Sequence, residues 1–365
     1  MIIGRCIHLF RDESRWDAGA PDKSTKVRTI PVTLFYPAHS DGLPGDSVRP
    51  SSYADLFAPS SEKALELLAL MGVDPDYMKR METGICENAE VSEAGSPFPV
   101  VLFSPAFGVV KDMYTYFAKE LVNRGYVVVT LGSPYESIFS VMPGGSLVRQ
   151  SELVSQIRNN DKELWEALLE QRVRDLLFVL DRLEDWNDSN GTAPINMRFD
   201  LTSVAVAGHS LGGAGAYEAL SRDSRLRTGI LLDPSFHLIR EEYHGRANVP
   251  LLIMREQNTT ADSLKGQMSD EVALPLVEGV RQLTDSYSGF LSMVKIIGAD
   301  HMTFSDVPLH YQNEDVEAKH VTINRLAGSF LDQFLKHRGS SYSDLLSLEP
   351  AEPFKSTNRQ GESSP

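Results

Sequence analysis

A serine between two glycines is the strongest chemical signal in the sequence. Residues 208–212 read Gly-His-Ser-Leu-Gly, with a β-type run at 204–207 directly before them and small residues at 211–216 directly after. A strand, a sharp turn and a helix in this order lift a serine hydroxyl clear of a sheet, and the glycines give the turn room to form. The start of the helix also favours negative charge above it. These features predict that Ser210 is a nucleophile.

A serine hydroxyl needs a base to take its proton, and His301 is the best placed of the nine histidines. It follows the predicted strand 293–297 through the short link 298–300, at the edge of a sheet where loops after parallel strands converge. His209 lies inside the turn and is interpreted as a packing residue. Three further histidines are weaker candidates for the base: His237, His310 and His320.

An acidic residue should orient the histidine from the end of a strand between the serine and the histidine. Asp233 directly follows the apolar run 229–232, where a carboxylate is hard to explain as structure alone. Glu256, just beyond the apolar run 251–254, is the alternative. The sequence favours Asp233 and leaves Glu256 open.

Attack of a serine on a carbonyl also needs two donors aimed at the developing oxyanion. One predicted donor is the backbone N–H of Leu211. The other is expected from the loop 104–108, which follows the apolar run 100–103. Phe107 is the predicted donor in that loop, because Pro105 has no N–H.

Short apolar runs alternate with amphipathic helices from residue 99 onward, which indicates parallel strands buried on both faces. The predicted strands are 29–36, 100–103, 126–131, 204–207, 229–232, 251–254 and 293–297, and the predicted helices are 63–71, 114–124 and 163–186. With the turn at Ser210, this order predicts an α/β-hydrolase fold, with a mostly parallel central sheet and helices on both faces.

Three stretches are longer than such connections need. We expect one α/β domain over residues 1–345, with insertions at about 38–97, 133–162 and 258–290. The last two insertions are candidates for a cap or lid. Residues 346–365 are rich in Pro, Glu and Ser and are predicted to form a disordered tail.

Composition narrows the possible partners. The 365-residue chain is 42% hydrophobic and carries a formal net charge of -15, so nucleic acids and anionic membrane surfaces are not expected partners. No run approaches the length of a membrane span, and charged residues interrupt the apolar start before a signal-peptide core could form, so we expect a soluble, cytoplasmic protein. Cys6 and Cys86 are expected to be free thiols, and neither a metal nor a cofactor is expected.

These residues resemble a known family, the platelet-activating-factor acetylhydrolase-like serine esterases and their bacterial and fungal relatives. The most specific block is 298–306, because members of the family resemble this chain in having a histidine closely followed by Phe and Asp. The resemblance favours Asp233 over Glu256. The segments that carry it are 4–5, 14–17, 32–38, 101–104, 125–129, 208–213, 232–233 and 298–306.

Two departures from the family pattern border the predicted pocket. This chain has Pro105 and Ala106 where the family usually has His-Gly, and it has Ser133-Pro134-Tyr135-Glu136 where the family usually has an Asp-His or His-Pro-Tyr-Asp arrangement. Tyr135 and Glu136 are therefore candidates for the substrate pocket. The departures leave the three predicted catalytic residues in place and bear on the substrate.

The resulting hypothesis is a cofactor-independent carboxylic ester hydrolase for a small-molecule or lipid ester with a short acyl group, in lipid or secondary metabolism. A first rival is an acyltransferase, lactonase or thioesterase that uses the same three residues, since water and another nucleophile differ only in their access. A second rival is a ligand-binding protein that keeps the fold without catalysis.

Overall fold

The computed structural model describes residues 2–22, 27–39, 51–188, 197–259, 263, 270–313, 315–348 and 353–357. Within these residues, ten strands form one sheet and two form a hairpin, β6 with β7. The strands are β1 (Ile2–Trp16), β2 (Val27–Ala38), β3 (Ile85–Glu87), β4 (Phe98–Ser104), β5 (Val127–Leu131), β6 (Phe139–Val141), β7 (Leu147–Arg149), β8 (Phe199–His209), β9 (Leu226–Leu232), β10 (Leu251–Arg255), β11 (Leu291–Ile296) and β12 (Phe354–Ser356).

The large sheet runs in the order β12-β11-β10-β9-β8-β4-β5-β2-β1-β3. The strands from β11 to β5 in this order pair in parallel. Antiparallel pairs occur at β11 with β12, β5 with β2, and β2 with β1. The sheet is therefore mostly parallel, as predicted, and the carboxyl ends of its central strands lie along one edge.

Helices cover both faces of this sheet. They are α1 (Ser61–Leu70), α2 (Pro75–Arg80), α3 (Thr115–Asn123), α4 (Glu152–Ser155), α5 (Lys162–Asp188), α6 (Leu211–Arg222), α7 (Asp270–Ser286), α8 (Val307–His310), α9 (Val316–Phe334) and α10 (Ser341–Leu346). Short 3-10 helices lie at Ala54–Phe57, Phe236–Leu238, Glu241–Tyr243 and His301–Phe304.

Alternate residues of the central strands enter two separate cores. In β4, Val101 and Phe103 pack in a core with α3 and α9, whereas Val100 and Leu102 pack in a core with α5, α6 and α7. Successive side chains of a strand point to opposite faces, so a strand covered on both sides must be apolar at nearly every position. This is why the central strands were recognisable as continuous apolar runs.

The seven predicted strands and three predicted helices are present, with ends shifted by a few residues. The sequence did not predict β1, which carries charged residues along its length. Arg5, near the start of β1, is 1% exposed, and its guanidinium donates to Asp112 Oδ1 at 2.9 Å. Asp112 lies 107 positions away in the sequence. The residues around Arg5 therefore give no sign that its charge is paired, and this part of the sequence resembles an irregular polar segment.

The predicted disordered tail, 346–365, needs a correction for its described residues. Phe354–Ser356 form β12, which pairs antiparallel with β11. The side chain of Phe354 is 1% exposed and belongs to a hydrophobic core. Burial of an aromatic ring explains why this polar stretch forms a strand at this point. The remaining residues beyond 357 lie outside the described part of the chain.

The insertions contain secondary structure of their own. Segment 133–162 carries the β6–β7 hairpin and α4, and segment 258–290 carries α7. Cys6 and Cys86 are buried free thiols, as expected. None of the helices in the described residues is both long and apolar enough to cross a bilayer.

Candidate active site

Ser210 occupies the turn between β8 and α6, with a φ of 56°. This left-handed conformation is uncommon for a residue with a side chain and marks a sharp turn. A Cβ atom on Gly208 would lie 2.2 Å from the carbonyl oxygen of Gly212, so the turn closes only when residue 208 has no side chain. The strand, turn and helix predicted around Ser210 are thus present at the carboxyl edge of the sheet.

The hydroxyl of Ser210 lies beside a second hydroxyl. Its Oγ atom is 3.3 Å from Oγ of Ser235, and the backbone N–H of Ser235 donates to the Ser210 carbonyl at 3.0 Å. Ser235 follows the predicted acid by two positions and was missed from the sequence, because only the fold brings these two turns together. In this structure Ser210 Oγ is hydrogen-bonded to Ser235 and not to His301.

Asp233 immediately follows β9 and holds the ring of His301. Its Oδ2 atom is 2.6 Å from Nδ1 of His301, and its backbone N–H donates to the carbonyl of Met254 in the neighbouring strand at 2.7 Å. The residue is 8% exposed and has a φ of 40°. A carboxylate fixed on Nδ1 leaves Nε2 as the ring nitrogen that can exchange a proton.

The pair shifts the titration of both groups. Burial by itself raises the pKa of Asp233, but the hydrogen bond and charge of His301, with the charge of Arg255, hold the pKa of Asp233 below its usual value. Burial by itself lowers the pKa of His301, but the hydrogen bond and charge of Asp233 raise the pKa of His301 above its usual value. The two groups therefore stabilise each other's charged forms.

Glu256, the alternative acid, lies next to this pair without holding the histidine. Its backbone N–H donates to Oδ1 of Asp233 at 3.4 Å. Burial and the neighbouring Asp233 carboxylate raise the pKa of Glu256 to about 7. Of the two candidates for the acid, the structure pairs His301 with Asp233.

His209 packs beneath the site, as the sequence suggested. It is fully buried, its Nδ1 atom is 3.0 Å from the hydroxyl of Tyr114, and its ring lies 4.7 Å from that of His301. Burial and the charge of His301 lower the pKa of His209 well below its usual range, so this ring is neutral. The other histidine candidates are apart from the Asp233–His301 pair: His310 and His320 are buried near α8 and α9, and His237 lies in the wall of the cavity described below.

The loop that carries His301 is fastened at both ends. Asp300 caps the 3-10 helix His301–Phe304 in a reciprocal arrangement with Thr303. Asp306 is buried and accepts a hydrogen bond from Tyr53 at 2.6 Å. The block 298–306, which was the most specific part of the resemblance, therefore contains residues that position the loop as well as the histidine.

Close backbone packing holds the loop 104–108, which contains the predicted donor Phe107, against the start of α6, which contains the other predicted donor, Leu211. A Cβ atom on Gly212 would lie 2.1 Å from the carbonyl oxygen of Ser104 and 2.3 Å from that of Pro105. Leu211 is the first residue of α6, and the first N–H groups of a helix have no partner within it. Phe107 and Leu211 both line the cavity that contains Ser210.

Tyr135 and Glu136, which were candidates for the substrate pocket, do not reach this cavity. The Glu136 side chain is fully buried, and its two oxygens accept hydrogen bonds from Arg172. Tyr135 has a φ of 64° in the turn that precedes Glu136. Arg172 also contacts Ser104 and Ala106 of the loop 104–108, called the oxyanion loop below, and neither Tyr135 nor Glu136 is among the residues lining the cavity.

A cavity of about 550 Å³ opens beside Ser210. Its walls include the aromatic rings of Phe107 and Trp165, whose centroids are 4.9 Å apart. Both insertions considered as caps contribute to its wall, the first through 159–162 and the second through Pro275. The lining residues are Phe107, Asn159, Asn160, Lys162, Trp165, Glu166, Ser210, Leu211, Ser235, His237, Leu238 and Pro275.

The side chains of the described residues do not form a metal site. No group of three or more His, Cys, Asp or Glu is arranged there to hold an ion. The chemistry that the described arrangement can perform is nucleophilic attack by a hydroxyl, with proton transfer through an imidazole that a carboxylate orients.

Most of the chain matches the model of a known family. The model of the family "Platelet-activating factor acetylhydrolase, isoform II" matches residues 22–314, which include the turn at Ser210, Asp233 and His301. The chain belongs to this family. The resemblance found in the sequence is thereby confirmed.

Two mammalian proteins named platelet-activating factor acetylhydrolase are similar to parts of this chain. The chain is 26% identical over 180 residues to the Cavia porcellus enzyme, an alignment that covers 45% of this chain and 41% of that protein. It is 24% identical over 252 residues to the Bos taurus enzyme, which covers 62% of this chain and 54% of that protein. The chain thus spans about half the length of these curated relatives.

The likeness extends to a fungal protein and to a solved structure. A probable 1-alkyl-2-acetylglycerophosphocholine esterase of Arthroderma benhamiae is 26% identical over 135 residues, covering 37% of this chain and 31% of that protein. A ferulic acid esterase from Streptomyces cinnamoneus has a TM-score of 0.71 and 24% identity, and the match covers 92% of this chain and 91% of that chain. This structural likeness confirms the predicted α/β-hydrolase fold.

Proposed function

We propose that the protein is a serine hydrolase that cleaves carboxylic esters through an acyl-enzyme on Ser210. One observation carries this proposal: Asp233 Oδ2 lies 2.6 Å from His301 Nδ1, at the sheet edge where Ser210 stands in a sharp turn. Membership of the platelet-activating factor acetylhydrolase family supports ester hydrolysis as the reaction.

In the proposed mechanism, His301 Nε2 takes the proton of the Ser210 hydroxyl as its oxygen attacks the ester carbonyl. Asp233 keeps the Nδ1 proton in place and stabilises the imidazolium that forms. Ser210 must exchange its contact with Ser235 for one with His301 before this step. The N–H groups of Phe107 and Leu211 bind the oxyanion of the tetrahedral intermediate.

Breakdown of the intermediate returns the proton from His301 to the leaving alcohol and leaves the acyl group on Ser210. His301 then takes a proton from water, whose oxygen attacks the acyl-enzyme, and returns this proton to Ser210 Oγ as the bond between Ser210 and the acyl group breaks and the carboxylic acid leaves. Every step uses groups of the chain and water, so the proposed mechanism includes no metal or cofactor.

We place the substrate among small-molecule or lipid esters with a short acyl group. The names of the relatives, acetylhydrolase and acetylglycerophosphocholine esterase, support a short acyl half. A series of p-nitrophenyl esters of increasing acyl length tests this directly. We expect kcat/KM to be highest for the acetyl or another short ester, and a maximum at long acyl chains would contradict this choice.

A fluorophosphonate probe tests the nucleophile, because it forms a covalent bond with an activated serine. We expect the wild-type protein to be labelled and the Ser210→Ala variant to be unlabelled, with ester hydrolysis reduced at least about 10³-fold. The matched control is Ser235→Ala, which removes the neighbouring hydroxyl and should still be labelled. An unlabelled wild type, or equal labelling of Ser210→Ala, would overturn the proposed function.

A further inference from the structure

Arg172 lies buried beneath the oxyanion loop and contacts it from α5. Its guanidinium donates to Oγ of Ser104 at 3.3 Å and to the carbonyl oxygen of Ala106 at 3.5 Å. Its Nε also donates to Oε2 of Glu136 at 3.0 Å, and its NH2 group to the other carboxylate oxygen. Arg172 is 2% exposed and Glu136 is fully buried, so solvent screens neither charge.

The carbonyl that Arg172 contacts belongs to the same peptide unit as the N–H of Phe107. In a trans peptide the C=O and the N–H point in opposite directions. A cation on the Ala106 oxygen therefore turns the Phe107 N–H away from α5. Because charge on one end of the unit polarises the other, the same contact strengthens this N–H as a donor.

Ala106 is fixed on its other side as well. Its own N–H donates to the hydroxyl of Tyr114 at 2.8 Å, and that hydroxyl lies 3.0 Å from Nδ1 of His209. The carbonyl of Ala106 also accepts from the N–H of Val109 at 3.2 Å. With both polar groups of Ala106 held, the orientation of the next N–H, that of Phe107, is fixed before substrate binds.

We infer that Arg172, held by Glu136, is a positioning residue that aims and polarises the Phe107 N–H toward the oxyanion. This inference rests on the proposed function, since it assigns a role in the same reaction. It also accounts for the departure at position 136: the carboxylate there holds the cation that supports the loop, and it does not contact substrate.

The same helix offers a matched control. Asp175, three residues further along α5, is also 2% exposed and is paired with the buried Arg28 through hydrogen bonds of 3.1 and 3.2 Å. Arg28 belongs to β2, and Asp175 also pairs with Arg15 of β1, so among the described residues these ion pairs do not include the oxyanion loop. Asp175→Asn therefore weakens a buried ion pair on α5 without touching the peptide unit of Phe107.

The experiment compares Arg172→Met, Arg172→Lys, Glu136→Gln and Asp175→Asn with the wild type. For each folded variant we measure kcat and KM for p-nitrophenyl acetate, the thermal midpoint, and the affinity for a trifluoromethyl ketone, which forms an oxyanion adduct with a serine nucleophile. If Arg172 helps to bind the oxyanion, its replacement should lower kcat and the affinity for the ketone, with little change in KM.

We expect Arg172→Met to lower kcat about 10- to 100-fold, with KM within about twofold and with a parallel loss of affinity for the trifluoromethyl ketone. Arg172→Lys keeps the charge and should recover part of kcat, and Glu136→Gln should lower kcat less than Arg172→Met does. Asp175→Asn should lower the thermal midpoint and leave kcat within about twofold.

Three results would overturn the inference: an unchanged kcat in folded Arg172→Met, an unchanged affinity for the ketone, or a loss of kcat in Asp175→Asn as large as that in Arg172→Met. If Arg172→Met does not fold, an unchanged kcat in both Arg172→Lys and Glu136→Gln overturns it. Ser210→Ala separates this failure from that of the proposed function. If Ser210→Ala is inactive while Arg172→Met is fully active, only the inference fails; if Ser210→Ala hydrolyses the ester normally, the proposed function fails and the inference with it.

Discussion

The nucleophile side and the oxyanion side of the candidate site are held in place in different ways. Ser210 takes its position from its immediate neighbours, because the absence of a side chain at Gly208 allows the sharp turn to close against Gly212. The oxyanion loop is held in part by contacts from distant segments, among them those of the Arg172 side chain, which lies 68 positions beyond Ser104 and 36 positions beyond Glu136. A short motif can therefore reveal the reacting atom, whereas its electrostatic support depends on contacts that only the fold creates.

The largest effect on activity is expected when the charge that orients His301 is removed. We expect Asp233→Asn to lower kcat about 10³- to 10⁴-fold, because an amide neither holds the required tautomer nor stabilises the imidazolium. The reaction needs neutral His301, so activity rises as pH increases through the pKa of His301. Asp233 raises that pKa, so the acid limb of the kcat/KM profile should move to lower pH in the variant.

Glu256→Gln is the control for this experiment. It removes a second carboxylate that acts on His301, the one whose own pKa is about 7, and it leaves the hydrogen bond between His301 and Asp233 intact. We expect a small shift of the acid limb to lower pH and less than about a tenfold change in kcat. A larger loss of kcat in Glu256→Gln than in Asp233→Asn would reverse the assignment of the acid.

A second test disturbs the close packing of α6 against the oxyanion loop. A methyl group in Gly212→Ala would lie 2.1 Å from the carbonyl oxygen of Ser104, so either α6 or the oxyanion loop must move. We expect the free energy of unfolding to fall by about 3 kcal/mol, as for other overpacked sites, and urea denaturation measures this change. Gly144→Ala is the control, because no atom lies within 4 Å of the added methyl group. Equal stabilities of the two variants would contradict the packing argument.

The smallest effect is expected at Ser235, which contacts the nucleophile through one neutral hydrogen bond of 3.3 Å. Such a bond contributes about 1 kcal/mol, so Ser235→Ala should lower kcat/KM by less than about tenfold. Ser235→Thr keeps a hydroxyl at this position and should lie between the wild type and the alanine variant. A loss above 10³-fold in Ser235→Ala would mean that the second hydroxyl takes part in the chemistry.

Much of the central fold followed from the sequence because strands covered on both faces are apolar at almost every position. Strands β4, β5 and β8 to β11 were therefore visible as apolar runs. β1 was missed, because it carries the buried Arg5 near its start and that charge is compensated by Asp112 and Glu87 from distant segments. β12 was missed because three residues give no periodic pattern, and its single anchor is the buried Phe354.

The same distinction, between local sequence signals and contacts with distant segments, applies to the residues of the candidate site. The location of Ser210, Asp233 and His301 could be predicted because each directly follows a strand or a short link at the carboxyl edge of the sheet. Ser235 gave no signal of its own, and Glu136 was predicted as a pocket residue although it is not among the residues lining the cavity. A carboxylate beside a predicted pocket suggests a substrate contact, but its orientation toward Arg172 depends on where α5 crosses the loop.

The ten-stranded sheet ends on both sides in a strand of three residues, β3 at one edge and β12 at the other. Exposed edges offer unpaired N–H and C=O groups to other chains, and a very short last strand limits such pairing. Because β12 covers β11, cutting the chain at residue 348 would leave β11 as an open edge and would remove the ring of Phe354 from the core. A shortened protein would therefore be prone to aggregate through β11, so expression designs should keep residues 353–357.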